Sequence, residues 1–163
     1  MLFREVQKFR GFWSLLIAFL SSFHLVAIYL FGMVFEPLPM PLAIVVGILM
    51  IGGAIVLLIF FYSANLTVEI RKNGLFIRFF PFYRSSRKIV PTEIADWQAR
   101  TYDPLSEFGG YGIRFGFNGM AYNISGHYGV QLELINGKRL LIGTNRAEAL
   151  AQAISLLKKE SSR

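Results

Sequence analysis

Ser125 and His127 are the nearest thing in the chain to a nucleophile and its base, in Ser125-Gly-His-Tyr128. Activating a serine hydroxyl requires an imidazole within hydrogen-bond reach and a third group to orient the ring. Two residues apart on a tight turn, these side chains need not face each other, and no orienting acid accompanies them. His127 also lacks the Cys, second His or clustered carboxylates that would make it a metal ligand. The carboxylates after Ala64 (Glu69, Glu93, Asp96, Asp103, Glu107, Glu133, Glu148 and Glu160) form no D-x-D or E-x-x-H constellation. Paired-acid and metal-assisted chemistry therefore have no foothold. The expectation is a protein that is not an enzyme, with no catalytic residue, metal or cofactor.

Seven glycines lie between Gly109 and Gly129. Their spacing, Gly110-x-Gly112-x-x-x-Gly116, is not the dinucleotide fingerprint, and no G-K-[ST] follows. Tight turns, bulges and close backbone contacts account for them better. The same stretch concentrates Tyr111, Arg114, Tyr122, Asn123 and His127, and aromatic and Arg residues dominate binding hot spots. These five are the expected protein-partner surface. The alternative is that Arg114 and Tyr122 close the fold with their polar ends satisfied internally.

A second cluster is basic. Arg71, Lys72, Arg78, Arg84, Arg87 and Lys88 fall close together. Arg71, Lys72, Arg84, Arg87 and Lys88 are the expected contacts to anionic lipid headgroups, at ~1 kcal/mol each near a membrane surface. The competing reading is that these charges only set orientation. Phe79, Phe80, Phe82 and Tyr83 interleave with them in the manner of nucleic-acid binders. Beside a membrane, an interfacial or core role fits them better, and no nucleic-acid partner is expected.

The membrane enters through the composition. Of 163 residues, 54% are hydrophobic and only 17% charged, with no Cys and a net charge of +7. No charged residue occurs from Gly11 to Phe35, nor from Pro37 to Val68. About 20 apolar residues cross a ~30 Å hydrocarbon core, so two spans are expected, at about 11–35 and 42–62. The prolines at 37, 39 and 41 break the helix between them. A signal peptide competes for the first span, but the run is too long and lacks an A-x-A-like cleavage site. Arg4, Lys8 and Arg10 flank the first span and the basic cluster follows the second, whereas the turn carries only Glu36. Both termini are thus expected on the cytoplasmic side of the cell inner membrane.

Small residues line one face of each span: Gly11, Ser14, Ala18, Ser21 and Ser22, then Ala43, Gly47 and Ala54. Such faces either join the spans to each other or form an oligomer seam. His24 lies mid-span without an ionisable partner, so no proton relay is expected from it.

The domain boundary is expected at 63/64, separating residues 1–63 from a cytoplasmic domain at 64–163. Asn65–Lys72 alternates apolar and polar residues, and Leu75–Phe80 returns after Asn73-Gly74, a preferred hairpin turn. Further strands are expected at 84–90, 94–102, 112–117, 120–124, 129–135 and 139–143, with hairpins around Asn118-Gly119 and Asn136-Gly137. Asn145-x-x-Glu148 resembles a capping box, and Ala147, Leu150, Ala151, Ile154 and Leu157 recur at helical spacing. The resulting fold class is a membrane α-helical hairpin plus an all-β barrel or sandwich capped by a C-terminal helix.

The two-span hairpin with this strand order and terminal helix resembles bacterial pleckstrin-homology-like (PH-like) membrane proteins. Gly109-Gly-Tyr-Gly-Ile-Arg114, Ala121-Tyr-Asn-Ile-Ser-Gly126, Gly129-Val-Gln-Leu-Glu-Leu134 and Asn136-Gly-Lys-Arg-Leu-Leu-Ile-Gly-Thr144 resemble an uncharacterised prokaryotic family of that kind. The resemblance implies a PH-like cytoplasmic fold and assigns no activity. The expected partners are membrane lipids and a protein partner or second copy of the chain, in a scaffold or regulatory role.

Overall fold

A computed structural model of the chain describes residues 1–9, 12–35, 38–116 and 118–161. The residues separate into two units, Phe9–Ala64 and a β unit made of Met1–Lys8 together with Asn65–Arg163.

The first unit consists of two helices, α1 (Phe12–Phe35) and α2 (Met40–Ser63). Pro39 caps α2 and Pro41 occupies its first turn, where a missing N–H costs nothing. By length and composition α2 suffices to cross a membrane. Only Ala43 and Ala54 among its residues are buried, so most of its apolar surface is left uncovered. Its small face receives Tyr29 of α1. The Tyr29 hydroxyl donates to the Ala43 carbonyl at 2.5 Å, and a Cβ on Gly47 would stand 3.2 Å from that hydroxyl. The small residues of α2 thus admit a neighbour within this unit. Gly11, Glu36 and Pro37 lie outside the described residues, as do the side chains of Ser14 and Ala18. His24 Nδ1 lies 2.8 Å from the Leu20 carbonyl one turn back.

The β unit holds two sheets. The first is antiparallel, in order β1 (Phe3–Lys8), β2 (Asn65–Arg71), β3 (Gly74–Phe80), β4 (Arg87–Ile89). The second has the order β5 (Ile94–Thr101), β8 (Tyr128–Leu134), β9 (Arg139–Gly143), β7 (Gly119–Asn123), β6 (Gly112–Gly116), with β7 and β9 parallel. A single 3-10 turn, Pro91–Glu93, leads into β5. A short helix α3 (Pro104–Phe108) follows β5, and α4 (Ala147–Ser161) closes the chain.

Leu66, Ile70, Leu75 and Ile77 from the first sheet, Leu132, Leu140 and Ile142 from the second, and Leu150 and Ile154 from α4 are fully buried. α4 contacts strands of both sheets. On the other face of β9, Leu141 packs with Ala121, Tyr102 and Phe108 beneath α3.

Four expectations need correction. Residues 1–8 are not merely a basic flank of the helices. They form β1, paired with β2 from Phe3↔Ile70 to Lys8↔Asn65, and belong with the β unit rather than with residues 9–63. Its inward positions are Phe3, Glu5 and Gln7, while Val6 faces out, so no apolar alternation marks it. Polar partners meet that inward face instead, although the buried Gln7 Oε1 has none among the described residues. Gln7 Nε2 donates to the Gly143 carbonyl at 2.8 Å, and Thr144 Oγ1 and Asn145 N donate to Glu5.

The turns also shift. Arg71 pairs with Gly74 and Gly116 with Gly119, so the glycines begin the returning strands. A type I′ turn needs positive φ at both central residues, and among the described residues only glycines have it. The strand expected at 84–90 shortens to Arg87–Ile89. Finally, Asn145 lies ahead of α4 rather than capping it, and the Arg146 N–H donates to Thr144 Oγ1 at 3.0 Å.

Candidate functional site

Period-2 alternation along β4 decides where the basic residues go. Ile89 is buried opposite Leu75, and Arg87 stands opposite Ile77. Arg87 therefore shares the core-side face with Ile89 but is exposed at the sheet edge, and Lys88 faces away. From there the Arg87 guanidinium reaches the second sheet. Nη1 donates to the Tyr122 hydroxyl at 3.4 Å and lies 3.6 Å from Met120 Sδ.

Arg87 borders three hollows. One of about 320 Å³ is lined by Tyr83, Ser86, Met120 and Tyr122. A second, of about 560 Å³, meets Phe115, Met120, Lys138 and Arg139. The third, of about 550 Å³, meets Lys88, Ile135 and Asn136. Phe115 is 80% exposed beside the second hollow. No carboxylate pairs with Arg87 among the described residues. The result is a seam between the sheets, with Arg87 common to all three hollows. Apolar side chains such as Met120, Leu134 and Ile135 line it together with polar ones, Glu93 in the third hollow among them. An arginine so placed can donate to a carboxylate or phosphate, with apolar side chains beside it.

The expected partner surface is only partly assembled. Tyr122 is buried and turned to Arg87. Asn123 is fully buried and accepts from the Gly112 N–H at 2.9 Å, which makes it a brace between β7 and β6. Arg114 is exposed, with Nε donating to the Tyr111 carbonyl at 3.0 Å, and the Tyr111 hydroxyl lies 3.5 Å from the Gly126 carbonyl. His127 is exposed, and its carbonyl accepts from Tyr102 N at 2.8 Å.

The expected headgroup cluster divides as well. Arg71 is engaged with Glu69, Nη2 to Oε2 at 2.6 Å, and lies 4.9 Å from the centre of the Phe76 ring. Lys88 approaches the same ring from the neighbouring strand at 5.9 Å. Lys72 sits in the β2–β3 turn and Arg84 in the loop before β4, whereas Arg87 reaches the centre of the seam and Lys88 borders its third hollow.

A second group escaped sequence reasoning. Asp103 caps α3 by accepting from Leu105 N at 2.9 Å and Ser106 N at 3.5 Å. Those bonds, the Leu105 one foremost, hold its carboxyl below the usual range. Glu107 takes Arg100 at 2.7 Å and Asn118 at 3.1 Å. The Arg100 hydrogen bond is the main reason its pKa falls to about 2. Asp103-Pro104 ahead of Glu107, a cap residue followed by proline at the first helical position, was the available signal. Arg100 also lines a polar hollow of about 270 Å³ with Asp96, Gln131, Glu133 and Arg139. Arg100 pairs with Glu107 and Arg139 lies 3.8 Å from Glu133, while Asp96 accepts from the Trp97 N–H, which reads as structural bracing. Burial pushes the Tyr102 hydroxyl up to about 12.

No curated protein and no solved structure matches the chain. Residues 1–158 match one family model, so the chain belongs to DUF6141, a family of unknown function.

Proposed function

We propose that the protein is an integral inner-membrane protein in which α1 and α2 form a two-span hairpin and both termini face the cytoplasm. The β unit is then a PH-like binding module with no chemistry of its own. In a scaffold or regulatory role it takes a protein partner at the seam around Arg87. The observation that carries this reading is Arg87 itself, a core-side arginine on an edge strand, directed at Tyr122 and Met120. A partner carboxylate reaching it gains a charge-assisted hydrogen bond, and the apolar walls receive the side chains beside that carboxylate. The span reading is supported by the apolar length of α2, the uncharged run of the first segment and the basic residues confined to one side of both.

A photo-crosslinking side chain at Met120, in the full-length protein in its own membrane, tests the seam. The expected result is a discrete adduct that Arg87→Glu abolishes. The same side chain at Leu105, which is exposed on α3, should leave that adduct unformed. An adduct indifferent to Arg87→Glu overturns the seam as the partner site. Cysteines at Leu38 and Lys159 should label from opposite sides of intact cells, and labelling of Lys159 from outside overturns the orientation.

A further inference from the structure

Strand register gives the first sheet two distinct ends. Lys8 pairs with Asn65, and Asn65 with Phe80. Lys8 and Asn65 are also the residues through which the β unit joins the helical unit. The loop that follows Phe80, residues 81–86, therefore leaves the sheet at the end where both connections leave. The turn carrying Arg71 and Lys72 closes the opposite end, where Arg71 pairs with Gly74. Six residue steps separate Asn65 from Arg71 along β2, or about 20 Å at strand rise.

The residues of that loop suit a lipid boundary. Phe82 is 59% exposed although its ring lies 5.6 Å from that of Phe79. Tyr83 is held by its N–H donating to the Phe79 carbonyl at 2.8 Å and borders the Arg87 seam. Arg84, Ser85 and Ser86 are exposed. Lys8 is exposed at the same end, while the sheet's acidic residues, Glu5 and Glu69, pair further in, with Val68 and Arg4. An aromatic ring beside arginine and lysine, with the carboxylates set back, matches the headgroup zone of an anionic bilayer.

We propose that the β3–β4 loop is the lipid contact of the β unit, with Phe82 seated at the headgroup–acyl boundary and Arg84 on lipid phosphates, while Arg71 and Lys72 stand clear of the bilayer. The inference rests on α2 being a span, and it moves the headgroup role from five dispersed basic residues to one loop.

The chain has no Cys, so a single label is placed without background. Full-length Phe82→Cys and Lys72→Cys carry an environment-sensitive fluorophore and are reconstituted into phosphatidylcholine vesicles with and without phosphatidylglycerol. Spin-labelled lipids then quench the fluorophore. The expected result is quenching several-fold stronger at position 82 than at 72, and weakened by Arg84→Glu only where phosphatidylglycerol is present. Ser85→Cys repeats the measurement at another exposed position of the same loop, in case Phe82 is needed for the loop's shape. Equal quenching at 82, 85 and 72 in protein that floats with the vesicles overturns the loop assignment and leaves the span intact. Protein that does not float with the vesicles overturns both.

Discussion

The two units use the same side chains in opposite senses. In the β unit Leu66, Leu75, Leu132, Leu141 and Ile154 are fully buried. In the helices Ile48, Leu49, Val56 and Phe31 are all about two-thirds exposed. Glycine divides in the same way. A Cβ on Gly119 would stand 2.2 Å from the Arg139 carbonyl oxygen, at a φ of 101°, whereas Gly32, Gly52 and Gly53 have nothing within 4 Å. At Gly119, as at Gly74, Gly116 and Gly129, glycine lets backbones meet, while at those helical positions it leaves open space. A stable β unit excludes its apolar atoms from water by its own packing. An outward apolar surface like that of the helices has to find another apolar medium.

The most severe break in this contrast is Gly119→Ala. The new methyl meets backbone that cannot swing aside, so a loss of about 3 kcal/mol or more is expected in chemical denaturation of the β unit. Stability within about 1 kcal/mol of the original protein would show that β7 and β9 approach less closely than described. Ile48→Asp, on the exposed side of α2, comes next. Burying aspartate at mid-membrane costs about 3 kcal/mol, so flotation with membranes should fall sharply while the β unit keeps its near-ultraviolet spectrum. Loss of that spectrum instead would mean that the helix face belongs to a protein core.

Glu107→Gln is milder and pH-dependent. Its carboxyl is held at about 2 against an ordinary 4.5, so its contribution is complete above pH 4.5 and lost as the pH falls toward 2. The substitution should cost about 1 to 2 kcal/mol at neutral pH and flatten the acid side of the stability curve. An unchanged acid slope would remove the Arg100–Glu107 brace from the account. Gly52→Ala is the smallest effect, under about 1 kcal/mol and toward greater stability, because helix propensity improves with no clash. A loss of membrane retention there would place a neighbour against α2 that this chain does not supply.

Much of the architecture follows from local pattern. Uncharged apolar runs bounded by prolines mark the two helices, and alternation around Asn-Gly pairs marks the hairpins of β2 with β3, β6 with β7 and β8 with β9. Apolar spacing marks α4. Each of these is decided within one or two dozen contiguous residues by composition, periodicity and turn chemistry. The cap at Asp103 is equally local, a carboxylate followed by proline at the first helical position.

Tertiary structure alone decided the rest. β1 is a strand because Asn65–Arg71, far along the chain, offers it an edge, and because Gly143, Thr144 and Asn145 satisfy polar side chains that no local rule would bury. The parallel pairing of β7 with β9 joins strands that are not neighbours in sequence. Arg87 meets Tyr122 only because β4 is in register with β3 and faces the second sheet. Arg84 and Lys72 end at opposite ends of one sheet for a similar reason. Where the chain turns back, nearness in sequence no longer fixes nearness in space: Arg84 is carried to the end of the sheet opposite Lys72, while Lys88 returns to the Phe76 ring that Arg71 also meets.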